Sequence, residues 1–353
     1  MAAKQMVRIV MMLVMIACSL ANYAPAKESI ALSGAGATFP YPLYIVLMET
    51  FSQQNAMKIT YDANGSGNGI KAITEKRVDF AGTDAFMTRE ELAKAGAKIT
   101  HIPTCMGAVV VVYNLPGNMP IKFSPQVIAD IFLGKITLWS DPRIAALNPG
   151  SRIPDLPISV VRRADGSGTT AIFTEYLSKV SPEWKTRVGA GKTVKWVTGQ
   201  VGEGNQGVAG LVRQIMGSVG YVELIYAMGN NMKFAAVQNQ SGQFIAPNVE
   251  SVSLAGNVNI PEDTNISLTN TSAEYGYPIS GFTWIALYQQ QDYNNRPRSK
   301  AKVLVDFLWW LIHEGQAFAK PLHYGPLSAD AVGKSEKLLQ SIRFGADPLI
   351  SKP

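Results

Sequence analysis

The sequence predicts an α/β protein with room for two lobes, and two observations support this prediction. Short β-branched segments alternate with helical segments along most of the chain, which is the pattern of α/β folds. The chain has 353 residues, of which 47% are hydrophobic and 16% are charged. It is therefore long enough to form two hydrophobic cores and has the composition of an ordinary globular protein.

The amino-terminal segment has the pattern of a secretory signal. Lys4 and Arg8 precede an apolar run at 9–20, and small residues follow it. The run is too short to span a bilayer stably, so we predict export with cleavage near Ala26. Cys18 lies where a lipoprotein signal would place an acylated cysteine, which leaves lipidation as an alternative. No later stretch approaches the roughly 18–20 apolar residues that a spanning helix needs.

Without residues 1–26, the sequence lacks the patterns typical of nucleic-acid binding, of metal binding by cysteines and of disulfide frameworks. The net charge would fall from +6 to +4, because the segment contains two basic and no acidic residues. Lysines and arginines are dispersed, without the cationic runs and interleaved aromatic residues typical of nucleic-acid binding. Cys105 would then be the one cysteine, which excludes a disulfide framework and indicates a small buried apolar side chain.

The first part of the chain is predicted to contain a series of strand-and-helix units. The predicted strands are 30–33, 59–61, 78–82 and 109–113, and the predicted helices are 41–53 and 70–76. A further helix should begin at the capping-box signature Thr88-Arg89-Glu90-Glu91. Because the segment 109–113 is apolar throughout, we expect a strand that is buried on both faces.

The rest of the chain continues the alternation. β-Branched segments predict strands at 157–161, 194–197 and 219–222, with another apolar element at 127–133. The segment 239–275 is rich in Asn, Ser and Thr and is predicted to be loop with short helices. A strand at 282–288 and a long helix at 299–319 should follow, with Trp309 and Trp310 packed in the core.

The most informative segment runs from Arg163 to Thr170 and joins a predicted strand to a helix. Its glycines let backbone N–H groups approach a ligand closely, and the amino end of a helix favours an anion. Ser167 and Thr169 offer hydroxyl donors, and Arg163 offers a fork of N–H donors that Asp165 would orient. These residues predict a site that holds a tetrahedral oxyanion, and none of them predicts a bond-breaking step.

Two further glycine-rich turns also join strands to helices. Residues 33–40 include Thr38, and residues 64–69 include Ser66, so each turn could present N–H groups and one hydroxyl to a ligand. Ligands of open α/β sheets lie beyond the carboxyl ends of strands, where all three turns are expected. We therefore expect the three turns to contribute to one site.

Asp84 follows the predicted strand 78–82 and would be unusual beside an anion, because a carboxylate repels negative charge. An ionised carboxylate can only accept hydrogen bonds, so Asp84 fits a ligand that carries a proton. Phosphate keeps at least one O–H near neutral pH, whereas sulfate has none. The sequence therefore predicts that Asp84 accepts this proton and discriminates against sulfate.

Six segments together carry a resemblance to a known family. They are Gly34–Pro40, Val78–Ala85, Leu133–Ile136 with Trp139, Leu147–Gly150, Val161–Thr169 and Gly217–Glu223. Within them, the string Arg-Arg-Ala-Asp-Gly-Ser-Gly-Thr at 162–169 is the most specific. Over nearly all of the mature chain, the sequence resembles the phosphate-binding proteins of bacterial high-affinity phosphate ABC transporters, the PstS-type periplasmic substrate-binding proteins.

The resemblance implies the type II periplasmic-binding-protein fold. Each of two lobes would be a mixed sheet flanked by helices, with a cleft between the lobes and two crossover segments. Residues 27–104 and 279–353 would form the first lobe, and 105–278 the second. The partners implied are inorganic phosphate and the permease and ATPase subunits of the transporter, with no enzymatic activity, metal or cofactor.

The resemblance also implies which residues bind phosphate. The first lobe would contribute the following four: Thr38, Phe39 through its backbone N–H, Ser66 and Asp84. The second lobe would contribute another four: Arg163, Ser167, Gly168 through its backbone N–H, and Thr169. Asp165 would hold Arg163 in place. Three positions depart from the family's pattern, namely Gly67, Asn68 and Gly281, where a hydroxyl residue would be expected at Gly281.

Three alternatives remain open. Gly202–Gly207 fits a dinucleotide-binding fingerprint, with Glu223 at the spacing of a ribose-binding carboxylate, which would indicate an oxidoreductase. The same lobes could instead bind another oxyanion, such as sulfate or molybdate, with Asp84 as the discriminating residue. A phosphatase would need clustered metal ligands or a general base beside Ser167. The histidines, which are scattered along the chain, are His101, His313 and His323.

Overall fold

A nine-stranded sheet runs through the protein in this computed structural model, which describes residues 30–117 and 119–350. The strand order is β2-β1-β3-β12-β4-β8-β6-β7, with β9 also paired to β4. These strands are β1 Ala31–Gly36, β2 Lys58–Asp62, β3 Phe80–Thr83, β4 Ile99–Tyr113, β6 Ser159–Arg163, β7 Gln200–Gly202, β8 Ser218–Glu223, β9 Lys233–Phe234 and β12 Ser280–Tyr288. The predicted signal segment 1–26, with Ala26 and Cys18, lies outside the described residues.

Five short strands form two smaller sheets. A three-stranded sheet contains β5 Lys122–Phe123, β10 Ala236–Gln238 and β11 Phe244–Ile245, and a two-stranded sheet contains β13 Arg343–Phe344 and β14 Asp347–Pro348. The helices are α1 Tyr41–Gln54, α2 Ser66–Thr74, α3 Arg89–Ala95, α4 Pro125–Phe132, α5 Pro142–Leu147, α6 Gly168–Val180, α7 Pro182–Arg187, α8 Gly204–Gln214, α9 Leu224–Gly229, α10 Val249–Ala255, α11 Arg298–Ile312 and α12 Ala329–Gln340. Within the ranges described, no helix is long and apolar enough to cross a membrane.

Strand β4 connects the two halves of the molecule. It is 15 residues long and buried along its whole length. Its first part, Ile99–Ala108, pairs antiparallel with β12, and its last part, Val109–Tyr113, pairs antiparallel with β8. The predicted boundary at 104/105 lies within this strand, and the boundary at 278/279 lies just before β12. The division of the chain into lobes at these positions stays a prediction.

The direction of the strands explains where a ligand site can form. In the first half, β1 is parallel to β2 and β3, and these strands run in the same direction as β4. In the second half, β6 is parallel to β7 and β8, and these strands run opposite to β4. The carboxyl ends of the parallel strands in the two halves therefore face one another, and each is followed by a turn into a helix.

Several predicted elements differ from the structure. The predicted strand at 194–197 is wrong, because this segment is irregular and the strand begins only at Gln200. Trp196 packs against Trp184 and Tyr221, with ring centroids 5.7 and 5.8 Å apart. The chain then turns at Gly199, which has a φ of +113°. The apolar pattern of the segment thus reflects packing against the core and not pairing in a sheet.

The predicted helix 299–319 is also too long. Helix α11 ends at Ile312, because His313 leaves helical geometry with φ −113° and ψ −96°. The chain continues as a 3-10 turn, Glu314–Phe318, whose Phe318 ring lies 6.2 Å from that of Trp310. The apolar periodicity therefore continues past the helix end. Trp310 also packs on Phe51, but Trp309 and Trp310 are both only half-buried, so the tandem tryptophans lie at the edge of the core and not inside it as predicted.

Cys105 lies in β4 and is fully buried, as expected for a small apolar side chain. The strand predicted at 109–113 is buried on both faces, but it is only the end of a strand that begins at Ile99. Helix α2 begins at Ser66, four residues before its predicted start. The early start matters because it places Ser66 at the amino end of a helix.

Candidate anion-binding site

Four strand-to-helix turns meet where the two halves of the molecule face each other. The N–H of Gly67 donates to the carbonyl of Gly166 at 2.7 Å, and the N–H of Gly168 donates to Oγ of Ser66 at 3.1 Å. Both bonds join the first half of the molecule to the second. Three of the turns are those from which an anion site was predicted, and the fourth connects β7 to α8, whose first turn contains Asn205.

The turn after β1 directs a backbone donor into this junction. Thr38 and Phe39 are buried. The Tyr226 hydroxyl donates to the Thr38 carbonyl at 2.6 Å, and the Tyr324 hydroxyl donates to the Phe39 carbonyl at 2.6 Å. Because the N–H of a trans peptide lies opposite its carbonyl, the Tyr226 bond fixes the direction of the Phe39 N–H. Among the described residues, this N–H has no acceptor, so it is available to a ligand.

Ser66 lies at the start of α2 and is fully buried. Its Oγ accepts hydrogen bonds from the N–H groups of Gly168 and Asp84, the latter at 3.3 Å. A hydroxyl that accepts two bonds keeps its own proton for a further acceptor. Gly65, which precedes it, has a φ of +98°, and a side chain there would collide with the carboxylate of Asp165.

The two departures in this turn have structural roles. A Cβ on Gly67 would lie 3.1 Å from Cα of Gly166, so the glycine permits the close approach of the two turns. Asn68 is exposed, and its Nδ2 donates to the carbonyl of Asn64 at 2.8 Å. The third departure, Gly281, lies against Ile172, where a Cβ would come 2.5 Å from Cδ1. A hydroxyl residue would not fit at Gly281 without a shift of Ile172.

Asp84 follows β3, is 4% exposed and points into the junction. Its Oδ1 accepts a hydrogen bond from the Thr283 hydroxyl at 2.7 Å. Its Oδ2 lies beside Gly168, so close that a Cβ on residue 168 would collide with this oxygen. Burial raises the pKa of Asp84 to about 7, an effect that the Thr283 hydrogen bond and the charge of Arg163 partly oppose. The carboxyl is therefore largely ionised above pH 7 and largely protonated below it.

Arg163 ends β6 and is 3% exposed. Its Nε donates to Oδ1 of Asp165 at 2.7 Å, and its Nη2 also bonds to the same carboxylate. The geometry agrees with the predicted role of Asp165 in orienting the guanidinium. Its remaining nitrogen, Nη1, donates to Oγ1 of Thr169 at 3.3 Å, so the guanidinium extends along the amino end of α6.

Ser167, Gly168 and Thr169 form the amino end of helix α6 and are buried. Ser167 caps the helix, since its Oγ accepts from the N–H of Thr170 at 3.0 Å. The first N–H groups of the helix and the helix dipole favour an anion at this end. Together with Arg163, the segment therefore brings a positive charge and a helix amino end to the junction.

Two buried residues of the junction were missed in the sequence. Asn205, at the start of α8, donates from Nδ2 to the hydroxyls of Thr38 and Thr169 at 2.9 and 3.1 Å. Its segment, Gly202–Gly207, was noted only as a dinucleotide-binding fingerprint, although its place after a strand's carboxyl end could also have assigned it to the anion site. Thr283 lies inside β12, and nothing local distinguishes it from other strand residues.

In a dinucleotide-binding fingerprint, the amino end of the helix binds the pyrophosphate of the dinucleotide. In the turn 202–207, this helix end already has another partner. The Gly204 N–H donates to Oδ1 of Asp165 at 3.1 Å, so an acidic group already occupies the amino end of α8. Glu223 is fully buried, and its Oε2 accepts from the N–H of Ile225 at 2.7 Å, where it caps α9. A ribose-binding role for Glu223 would require it to leave this position.

The histidines lie apart from the junction. His101 is buried, stacks on Phe86 at 4.0 Å, and has its pKa lowered to about 3 by burial. His313 bonds through Nε2 to Glu336, and His323 ends the turn Lys320–Leu322. No group of three or more His, Cys, Asp or Glu side chains that could hold a metal ion occurs in the described part of the chain.

Comparison with known proteins identifies the family. Residues 21–314 match the family model of the PBP superfamily domain. The chain is 41% identical to the phosphate-binding protein PstS of Xylella fastidiosa strain Temecula1, over 89% of this chain and 86% of that protein. It is also 41% identical to PstS of Haemophilus influenzae, over 87% and 92% of the two chains.

A solved structure shows the same fold. The solved structure of PfluDING, a high-affinity periplasmic phosphate-binding protein with bound phosphate, superposes with a TM-score of 0.69 at 22% identity. The superposition covers 87% of this chain and 93% of PfluDING. This likeness and the family match confirm the predicted two-lobed periplasmic-binding-protein fold. The chain belongs to the PBP superfamily and, within it, to the family of PstS phosphate-binding proteins.

Proposed function

We propose that the mature protein is an exported receptor for inorganic phosphate. It holds the anion in the cleft between its lobes and releases it to the permease of a phosphate ABC transporter, which a cytoplasmic ATPase drives. The observation that carries the proposal is the convergence of hydrogen-bond donors from both lobes around one buried carboxylate, Asp84. The names of the PstS relatives and the match of their sequences over most of the chain support the same ligand.

The proposed ligand contacts are the eight residues predicted from the sequence. They are Thr38, Phe39, Ser66 and Asp84 from one lobe and Arg163, Ser167, Gly168 and Thr169 from the other. The hydroxyls, the N–H groups and the guanidinium donate to phosphate oxygens, and Asp84 pairs with the oxygen that carries hydrogen. Above pH 7 the ionised Asp84 accepts this proton, a contact that sulfate cannot make.

Ligand binding and lobe closure are linked in this proposal. A ligand favours the arrangement in which both lobes touch only through contacts that a separated arrangement lacks. Donors from both lobes meet at the junction, so a phosphate ion bonded to all of them holds the lobes together. The faces around the cleft would then be presented to the permease in the periplasm, after cleavage of the signal near Ala26.

Catalysis is not part of the proposed function. Ser167 is the candidate nucleophile in a phosphatase, but its Oγ accepts from a helix N–H. The nearest carboxylate in sequence, Asp165, is bonded to Arg163 and to the Gly204 N–H, so it does not act as a general base toward Ser167. Incubation with a model phosphate ester should therefore release no phosphate above the uncatalysed rate.

Isothermal titration of the mature protein with phosphate and with sulfate at pH 8.5 tests the proposal. Micromolar or tighter phosphate binding is expected, with sulfate at least about 100-fold weaker, because sulfate leaves the ionised Asp84 facing a like charge. An absence of phosphate binding would overturn the proposed function. Comparable affinities for the two anions would refute the acceptor role of Asp84.

The Arg163→Ala variant locates the site. We expect a loss of about 100-fold or more for every tetrahedral anion, because a buried charge-assisted donor is removed. Arg152→Ala is the matched control, since Arg152 is an exposed arginine of the same lobe and its loss changes the net charge equally. Unchanged affinity in Arg163→Ala, with thermal melting showing a folded protein, would place the site elsewhere.

A further inference from the structure

Asn205 joins hydroxyl groups from both lobes. It is fully buried at the start of α8. Its backbone N–H and its Nδ2 donate to Oγ1 of Thr38 at 3.2 and 2.9 Å, and the same Nδ2 donates to Oγ1 of Thr169 at 3.1 Å. Thr38 precedes helix α1 in one lobe and Thr169 lies in helix α6 of the other. One amide group therefore contacts a candidate ligand-binding hydroxyl on each side of the cleft.

A backbone contact determines which way this amide points. Oδ1 of Asn205 accepts from the N–H of Glu223 at 2.9 Å. A backbone N–H can only donate, so the atom that it meets must be the amide oxygen. The amide nitrogen consequently faces the two threonines, and the reverse orientation would place two N–H donors against each other.

The direction of these bonds decides what the threonine hydroxyls can do. A hydroxyl has one proton to donate and accepts through its oxygen. Oγ1 of Thr38 accepts two bonds from Asn205, and Oγ1 of Thr169 accepts one from Asn205 and one from Nη1 of Arg163 at 3.3 Å. With their acceptor capacity filled, both hydroxyls keep their protons for a group between them.

We propose that Asn205 is a positioning residue that commits the hydroxyls of Thr38 and Thr169 to donate toward the anion. The inference rests on the proposed function, because it concerns the ligand of that site. It also specifies the chemistry at this side of the ligand: oxygen atoms without hydrogen bind next to Asn205, and the protonated oxygen binds on the side of Asp84. The two residues thereby orient the ligand, one by supplying donors only and the other by accepting.

The Asn205→Asp substitution tests this directly. It preserves shape and retains an oxygen for the Glu223 N–H, but it replaces the donor with an acceptor that draws the threonine protons away from the ligand. The Asn205→Ala variant removes the donor without adding charge. Phosphate affinity at pH 8.5 should fall by about 5- to 20-fold in Asn205→Ala and by at least about 100-fold in Asn205→Asp. Gln206→Ala, an exposed position on the same helix, is the control and should bind normally.

Two readouts separate positioning from a purely structural role. Acidification protonates the carboxyl of the Asn205→Asp variant and restores a donor, so its affinity relative to Asn205→Ala should recover as the pH falls to 5.5. The ratio of the two affinities cancels the titration of phosphate, which is the same for both variants. In a Thr38→Val background, Asn205→Ala should cost distinctly less than in the wild type, because one of the two hydroxyls it orients is gone.

The outcomes distinguish this inference from the proposed function. If the wild type binds phosphate but Asn205→Ala binds equally well, the inference is wrong and the proposed function stands. The same holds if Asn205→Asp and Asn205→Ala are equal at every pH, or if Asn205→Ala costs as much without the Thr38 hydroxyl. If the wild type fails to bind phosphate, the proposed function fails and the inference fails with it.

Discussion

The pH dependence of sulfate binding is a sharp test of Asp84. Sulfate does not titrate between about pH 6 and pH 8.5, so a change in its affinity over this range originates in the protein. Oδ1 of Asp84 is bonded to the Thr283 hydroxyl, and Oδ2 faces the junction beside Gly168. When ionised, this carboxyl repels sulfate, and when protonated it has an O–H that can donate to a sulfate oxygen.

The structure sets the size of the effect. Burial raises the pKa of Asp84 to about 7. The protonated fraction is then about 3% at pH 8.5 and about 91% at pH 6. If sulfate binds only when Asp84 is protonated, its affinity should increase roughly 30-fold on acidification across this range.

The assay is isothermal titration of sulfate at both pH values, with the wild type and with the Asp84→Asn variant. The amide of this variant keeps an oxygen for Thr283 and presents N–H groups to the anion at every pH. Its sulfate affinity should vary less than about twofold with pH and should exceed that of the wild type at pH 8.5, while phosphate still binds. Sulfate affinity that is independent of pH in the wild type, or equally dependent in both proteins, would refute the reasoning.

Two further predictions concern packing and stability. In Gly168→Ala, the new Cβ would lie 2.5 Å from Cβ of Asp84 and 2.6 Å from Oγ of Ser66, so phosphate affinity measured by titration should fall by at least about 100-fold. Gly210→Ala, where nothing lies within 4 Å of the new Cβ, is the control, and equal affinities in the two variants would contradict the close approach of the turns. Burial lowers the pKa of His101 from 6.5 to about 3, so the folded state holds it neutral and the free energy of unfolding should fall as the pH drops from about 6.5 toward 3. Urea unfolding of the wild type and of His101→Gln across this range should show a weaker decline in the variant, and identical declines would exclude His101 as a source.

Much of the candidate site was predictable because its chemistry is local. A glycine-rich turn between a strand and a helix exposes backbone N–H groups wherever it occurs. Hydroxyl and guanidinium side chains are recognisable as hydrogen-bond donors from the sequence alone, and those of this site belong to Thr38, Ser66, Arg163 and Thr169. The pairing of Arg163 with Asp165 also follows from their closeness in sequence. The α/β class and the family followed from such local patterns, and both are confirmed.

The predictions for 194–197 and 299–319 failed for one physical reason. Apolar periodicity reports that side chains face a core, and it does not report whether the backbone there pairs, coils or turns. Trp196 is packed against the core by irregular backbone and Phe318 by a 3-10 turn, so the apolar pattern predicted a strand where there is none and a helix beyond its end.

By itself, the sequence determined the kinds of groups available: three donor-bearing turns, one arginine with its carboxylate, and an acidic residue with no evident partner. Only the tertiary structure decided that these groups meet, because the reversal of strand direction across β4 turns the carboxyl ends of both sheet halves toward each other. The same long-range packing placed Asn205 between two lobes and took Asp84 out of water, which raises its pKa to about 7. Contacts between residues more than a hundred positions apart, and the loss of solvent that they cause, leave no local pattern in the chain.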